Sequence, residues 1–162
     1  MRAPYDRPEP RLVPPGEYPL WDEALAILNR DLARTVPERG PLRLLATPPC
    51  DDGEPESVYV ALANGEWHGN PLYPDSAENL TVALAAIADT AQETITERLR
   101  RAWPLCTEHN LGMHPHEAHG RLSWCGAGEH RPSGEAHIRA AVGKLDTLPR
   151  PRRHNRKQRN QN

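Results

Sequence analysis

The chain of 162 residues contains no phenylalanine and three cysteines, and aromatic residues make up 5% of it. With so few aromatic side chains, the hydrophobic core has to be small and built mainly from aliphatic residues and the four tryptophans. Three cysteines do not form the disulfide framework of a small secreted protein, which favours a reducing, cytoplasmic setting. No apolar run approaches the roughly 18 residues that a membrane helix requires, so no membrane partner is predicted.

Several sequence signatures of enzymes are also missing. The chain has no Walker phosphate loop, no dinucleotide-binding G-x-G-x-x-G and no G-x-S-x-G nucleophile elbow. A zinc-protease helix of the HExxH type does not occur, because Pro115 between His114 and His116 is incompatible with a helix interior. The zinc-deaminase signature is absent as well. These absences favour a binding function over catalysis.

Proline is abundant and charge is unevenly distributed. Six of the 18 prolines fall within residues 1–19, which predicts a disordered, proline-rich lead-in. Six of the 20 basic residues fall within the last thirteen, so the rest of the chain carries 14 basic against 22 acidic residues, a net charge of −8. Residues 147–162 are therefore predicted to form a basic, disordered tail, and nucleic acid is a possible partner for it.

Residues 20–102 have the pattern of an α+β domain. Trp21, Leu25, Leu28 and Leu32 recur at helical spacing, which predicts an amphipathic helix that Pro37 ends. The opposite, polar face of this helix is predicted to carry Asn29, Arg30, Asp31 and Arg34.

Strands are predicted over residues 42–47 and 57–63, and Asn64-Gly65 predicts a type I′ turn into a return strand over residues 66–69. A second helix is predicted to extend to about residue 101, with Asp75 and Glu78 forming a capping box at its start. The fold expected from this order is a small antiparallel sheet with two packed helices.

Candidate metal ligands are concentrated in residues 103–146. Two of the three cysteines and six of the eight histidines lie between Cys106 and His137. Cys106 and His109 form a C-x2-H pair, and Cys125 and His130 form a C-x4-H pair, with fifteen residues between the two pairs. Thiolate and imidazole suit Zn²⁺, which in structural sites takes four ligands at tetrahedral corners. The sequence therefore predicts a structural zinc site formed by Cys106, His109, Cys125 and His130.

The intervening residues predict how two pairs of ligands meet. Residues from about 117 to 125 have the pattern of a β-hairpin that turns near His119-Gly120, and residues 138–142 predict a further strand or a short helix. This order of ligand pair, hairpin and ligand pair resembles a zinc ribbon. The whole chain is also similar to small uncharacterised actinobacterial proteins that end in a Trp-Pro-x-Cys…Trp-x-Cys segment. The resemblance implies a zinc-ribbon-like module over residues 103–146.

Some ligand positions stay open at this stage. Two of the four are histidine where a standard ribbon has cysteine, and the second spacing is four rather than two. His137 is an alternative to His130, and His114 or His116 is an alternative to His109. Cys50 has no neighbouring ligand in the sequence and is interpreted as a loop or partly buried thiol.

Three functions are compatible with this pattern. The first is a non-enzymatic zinc-binding protein that acts as a protein-interaction or regulatory module. The second is a nucleic-acid-binding protein that uses the basic C-terminal tail. The third is a zinc-dependent hydrolase, for which Glu108, Glu117 and Glu129 are candidate general bases. The first is preferred, because the module contains few Lys and Arg residues and no catalytic signature.

Overall fold

The computed structural model describes residues 9–49, 51–126 and 137–145. Within these residues the chain forms two α-helices and seven β-strands, and the strands build two antiparallel sheets. In chain order the elements are β1 (Arg11–Leu12), α1 (Pro19–Thr35), β2 (Arg43–Thr47), β3 (Ser57–Ala61), α2 (Leu80–Leu99), β4 (Leu105–Cys106), β5 (Leu111–Ala118), β6 (Arg121–Gly126) and β7 (His137–Ala141). The predicted α+β class is confirmed.

Helix α1 buries the apolar stripe that its sequence predicts. Its buried residues include Trp21, Leu25, Leu28 and Leu32. The helix ends at Thr35, immediately before a short 3-10 turn that Pro37 begins. One residue departs from the prediction, because Asp31 was expected on the polar face and is completely buried. The second sheet covers this carboxylate, and the sequence periodicity of α1 carries no information about that sheet.

The first sheet has the strand order β1-β2-β3. Its inner face contributes Leu44, Ala46, Val58 and Val60 to the hydrophobic core. Strand β1 lies within the predicted lead-in, and the amide of Val13 just after it donates a hydrogen bond to the carbonyl of Leu44. Part of the proline-rich segment is thus fixed to the sheet. Residues 1–8 of that segment lie outside the described residues.

The predicted return strand over residues 66–69 does not form. Of the turn residues, Gly65 has a positive φ and Asn64 does not, so the turn is not type I′. The backbone of the following residues bonds to α2 instead: His68 donates its amide to Thr94 Oγ1, and the carbonyl of Trp67 accepts from Arg98 Nε. These bonds to helix side chains take the place of the backbone hydrogen bonds that the predicted return strand would make with β3.

Helix α2 begins later than the capping pattern predicts. Its N-cap is Asn79, whose side-chain oxygen accepts a hydrogen bond from the amide of Val82. Asp75 belongs to a separate 3-10 turn, Pro74–Ala77. The predicted capping box was therefore wrong, because the N-cap of the helix is Asn79 rather than Asp75. The buried face of the helix is formed by small and β-branched residues, namely Ala83, Ile87, Ala88, Ala91, Thr94 and Ile95.

The second sheet has the strand order β4-β5-β6-β7, and every neighbouring pair is antiparallel. The hairpin predicted in this segment is confirmed as β5 and β6, joined by His119 and Gly120, which both have positive φ. The further strand predicted over residues 138–142 is confirmed as β7. This sheet is the part of the molecule that contains the candidate ligands.

The second sheet and the two helices share one hydrophobic core. Trp103, Met113 and Trp124 belong to the same buried cluster as the apolar residues of α1 and α2. The rings of Trp103 and Trp124 meet edge to face, with centroids 5.5 Å apart. Gln92 on α2 ties the start of the sheet to the helix, because its Nε2 donates to the carbonyls of Trp103 and Met113. The segment that contains the candidate ligands is thus packed against the hydrophobic core and bonded to helix α2.

Candidate metal centre

Strand order relates the two segments of the second sheet that contain the predicted ligand pairs. The loop that contains His109 connects β4 to β5, and the segment that contains His130 connects β6 to β7. Because consecutive strands in this sheet are antiparallel, the β4–β5 and β6–β7 connections lie at one end and the β5–β6 turn lies at the other. The end of β6 and the start of β7 therefore lie at the same end of the sheet as the loop that contains His109.

The loop between β4 and β5 has a tight, defined conformation. Cys106 at the end of β4 pairs with Leu111 at the start of β5, so four residues make the connection. The amide of Asn110 donates to the carbonyl of Cys106 at 2.7 Å, and Asn110 itself has a φ of 55°. Asparagine tolerates this left-handed conformation better than most residues. The resulting turn brings His109 back toward Cys106.

Cys106 and His109 are in contact through their side chains. The Sγ atom of Cys106 lies 3.5 Å from Nδ1 of His109. Two ligands of one tetrahedral zinc ion are separated by about 3.5 Å, given zinc–sulfur and zinc–nitrogen bonds of about 2.3 and 2.0 Å. The same separation also fits a weak hydrogen bond between thiol and imidazole. The distance between the two atoms therefore fits two of the four ligands of a zinc site.

The surroundings of the two side chains differ. Cys106 is 1% exposed and belongs to the hydrophobic core, whereas His109 is exposed. The Cys106–His109 pair therefore lies at the boundary between the core and solvent. This arrangement is consistent with a structural site at the boundary of the core.

Cys125 has a different position from the one that the sequence predicts. It pairs with His114, three residues from the Leu111 that pairs with Cys106, and side chains alternate faces along a strand. Cys125 and Cys106 therefore lie on opposite faces of the sheet. Burial raises the pKa of the Cys125 thiol, and its Sγ lies 3.8 Å from the carbonyl oxygen of Ser123. Both observations describe a thiol that is neutral at neutral pH in the metal-free chain.

Three other candidate histidines, His114, His116 and His137, belong to strands of the same sheet. His114 and His116 are exposed residues of β5, and His109 rather than either of these is the histidine that contacts Cys106. His130 lies outside the described residues. The backbone of His137 begins β7 opposite Gly126, which pairs with Met113 on β5. By this register, the backbone of His137 lies at the end of the sheet that contains the Cys106–His109 loop.

Two of the four predicted ligands are brought together in this structure. Within residues 9–49, 51–126 and 137–145, no group of three or more His, Cys, Asp or Glu side chains is arranged to hold a metal ion. The candidate general base Glu108 lies in the same loop, and its carboxylate forms an ion pair with Arg139 at 2.6 Å. Glu129 and the cysteine at position 50 lie outside the described residues, as does the predicted basic tail.

One residue of this region has no counterpart in the sequence reasoning. Arg139 on β7 bonds to the loop between Cys106 and His109, and the two bonded residues are 31 positions apart in the chain. Neither periodicity nor motif spacing reports a contact of this kind. A guanidinium near candidate ligands is visible only once the strands are paired.

Comparison of the chain with protein-family models, with curated proteins and with solved structures finds no match. The resemblance to a zinc ribbon therefore rests on the residues and geometry of this segment. Neither α1 nor α2, the helices of the described part, combines the length and apolar character needed to cross a bilayer.

Proposed function

We propose that this is a non-enzymatic zinc-binding protein whose metal site stabilises one end of the second sheet for interaction with another protein. The observation that carries the proposal is the 3.5 Å separation of Cys106 Sγ and His109 Nδ1, which equals the spacing of two ligands on one tetrahedral ion. When bound, Zn²⁺ supplies a rigid cross-link between chain segments and no redox chemistry.

The other half of the site is drawn from the β6–β7 connection. Cys125 and His130 are the predicted pair, and His137 is the alternative donor on that side. The pleat of the sheet weighs against Cys125, because it places this residue on the face opposite Cys106. We therefore favour a site in which Cys106, His109 and His130 are joined by His137.

Exposed apolar residues support a protein partner. Three of the six large hydrophobic residues that are exposed in the described part flank the candidate metal ligands: Leu105, Leu111 and Ile138, which are 41–52% exposed. Leu105 immediately precedes Cys106, and Ile138 follows His137. Apolar side chains grouped near a rigid site are typical of protein interfaces rather than of nucleic-acid interfaces, which are polar and basic. A nucleic-acid partner would depend on the basic tail, and a hydrolase would need an open coordination position.

Metal analysis of purified protein tests the proposal. We expect one zinc per chain in wild type, loss of zinc in Cys106→Ser and His109→Ala, and retention in Cys50→Ser as a matched control. The Cys125→Ser and His137→Ala variants separate the two ligand sets, because the true ligand is the one whose removal lowers zinc content. Wild-type protein that contains no stoichiometric zinc after purification without chelator would remove the metal function altogether.

The interaction role needs a second experiment. A Leu105→Glu/Leu111→Glu variant should keep its zinc and its fold but lose a partner that wild type retains on an affinity column. Leu12→Glu is a control, since Leu12 is also exposed but lies in the first sheet. A partner retained equally by both variants would place the interface elsewhere.

A further inference from the structure

Arg139 occupies an unusual position in the second sheet. Trp124 pairs with Ala140 and Cys125 pairs with Ile138, so Arg139 is the extra residue of a β-bulge on β7. Its side chain is 11% exposed. Bulges redirect side chains, and a buried guanidinium requires polar partners. The bulge therefore points the side chain of Arg139 in a direction that a regular strand would not give it.

The guanidinium contacts the loop between the candidate ligands. Nη1 of Arg139 donates to Glu108 Oε1 at 2.6 Å, and Nη2 lies 3.5 Å from Thr107 Oγ1. Thr107 and Glu108 are the two residues between Cys106 and His109. One side chain from β7 thus holds both intervening residues of the C-x2-H pair. A planar fork with several donors can do this, whereas the single ammonium of lysine cannot match its geometry.

The contact also links the two halves of the candidate ligand set. Strand β7 begins at His137, two residues before Arg139, and β4 and β7 are the outer strands of the sheet. The Arg139–Glu108 pair therefore holds the start of β7 close to the Cys106–His109 loop. The contact thus spans from one outer strand to the loop that follows the other.

The hydrogen bonding of Arg139 is incomplete. Its Nε atom is buried and has no hydrogen-bond partner among residues 9–49, 51–126 and 137–145. Buried donors in native proteins are nearly always paired, so an unpaired one calls for an explanation. This unpaired donor belongs to the same guanidinium that contacts the Cys106–His109 loop.

We infer that Arg139 is a positioning residue for the metal site, and this inference rests on the proposed zinc-binding function. It acts through Thr107 and Glu108 to fix the loop of Cys106 and His109 and to hold that loop near the start of β7. Residues that orient metal ligands without touching the metal typically change metal affinity by about 10–100-fold. The charge of Arg139 is balanced by Glu108, so the pair adds no net repulsion toward a cation.

The test measures zinc affinity of the full chain by competition with a chromophoric chelator. The variants are Arg139→Met, which keeps an apolar stem, Arg139→Lys, which keeps the charge, and Glu108→Gln. The control is Arg121→Met on β6, whose arginine is exposed. Thermal unfolding of each metal-free protein and the visible spectrum of each Co²⁺-substituted protein are recorded in parallel.

We expect Arg139→Met to weaken zinc binding by about 10–100-fold and Glu108→Gln to weaken it in the same direction. The double variant Arg139→Met/Glu108→Gln should bind zinc no more weakly than Arg139→Met, since both changes remove the Arg139–Glu108 interaction. Arg139→Lys should recover part of the affinity, and Arg121→Met should match wild type. The intensity of the Co²⁺ spectrum should stay that of a tetrahedral site when the variants are saturated.

Several outcomes would overturn the inference. Wild-type zinc affinity in Arg139→Met would do so while leaving the proposed function intact. An affinity loss fully matched by loss of metal-free stability would assign Arg139 a structural role instead. If Arg139→Met does not fold, Glu108→Gln decides, because the Glu108 side chain is 55% exposed and its change should not unfold the protein. Absence of zinc binding by wild type would instead remove the proposed function.

Discussion

The indole nitrogen of Trp124 donates a 2.8 Å hydrogen bond to the buried carboxylate of Asp31, 93 positions away in the chain. The same carboxylate accepts from the backbone amides of Gly143 and Leu145. Helix α1 is thereby joined to β6 and to the segment after β7. The buried carboxylate of Asp31 thus connects helix α1 to the sheet that contains the candidate metal ligands.

Replacement of Asp31 by asparagine tests this connection. The amide keeps the shape of the carboxylate but removes its charge and one acceptor oxygen. We expect a loss of about 2–4 kcal/mol in the free energy of unfolding, since hydrogen bonds to charged groups contribute about 1.5–3 kcal/mol each. Urea unfolding of Asp31→Asn and of the exposed control Asp75→Asn measures the difference. Equal stabilities of the two variants would contradict the assigned role.

Gly143 lies in the segment after β7, and its backbone conformation gives a second prediction. It has a φ of +92°, and a Cβ added there would lie 2.5 Å from Cγ2 of Ile27. Gly16 has a φ of +91° with no atom within 4 Å of such a Cβ. Gly16→Ala therefore reports backbone strain of about 1–2 kcal/mol, and Gly143→Ala should cost about 1–3 kcal/mol more because of overpacking. Thermal or urea unfolding of both variants gives the comparison, and similar costs would exclude the predicted clash.

Thr94 connects α2 to the first sheet. Its buried hydroxyl lies 2.9 Å from the carbonyl oxygen of Val60 and also accepts from the amide of His68. Thr94→Val preserves the shape and leaves these backbone groups unpaired, so we expect a loss of about 1–3 kcal/mol. Thr90→Val is the matched control, because the Thr90 hydroxyl bonds to the carbonyl of Ala86 within its own helix. Urea unfolding should rank the control well above Thr94→Val in stability.

The thiol of Cys125 is predicted to be unreactive in the native protein. It is 5% exposed, and burial raises its pKa, so less of the reactive thiolate is present at any given pH than for a free cysteine. Iodoacetamide at pH 8 should modify Cys125 after addition of urea but not before, as measured by peptide mass spectrometry. We expect the same protection with and without EDTA. A rise in labelling with EDTA would make Cys125 a metal ligand.

Metal removal should lower stability in a manner that depends on Cys106. A ligand present at 1,000 times its Kd stabilises the folded state by about 4 kcal/mol. EDTA should therefore lower the Tm of wild type and of Cys50→Ser, and it should leave the Tm of Cys106→Ser unchanged. A Tm of wild type that does not respond to EDTA and recovers nothing on addition of zinc would argue against a structural metal.

The local sequence pattern was sufficient for the secondary structure in the strongest segments. The apolar spacing of Trp21, Leu25, Leu28 and Leu32 predicted α1, and the turn residues His119 and Gly120 predicted the β5–β6 hairpin. The spacing of Cys106 and His109 predicted a contact that the structure contains. All of these involve residues close together in the chain, whose geometry follows from backbone periodicity and turn conformation.

Tertiary structure alone decided the positions that depend on distant segments. Asp31 lies on the polar side of its helix pattern, yet the second sheet covers it and supplies three donors. Cys125 fits the ligand spacing, but the strand register places it on the face opposite Cys106. The Arg139–Glu108 pair joins a bulge to a loop 31 positions away. A local pattern reports which face of an element is apolar, whereas the partner of each polar group is set by how whole elements pack.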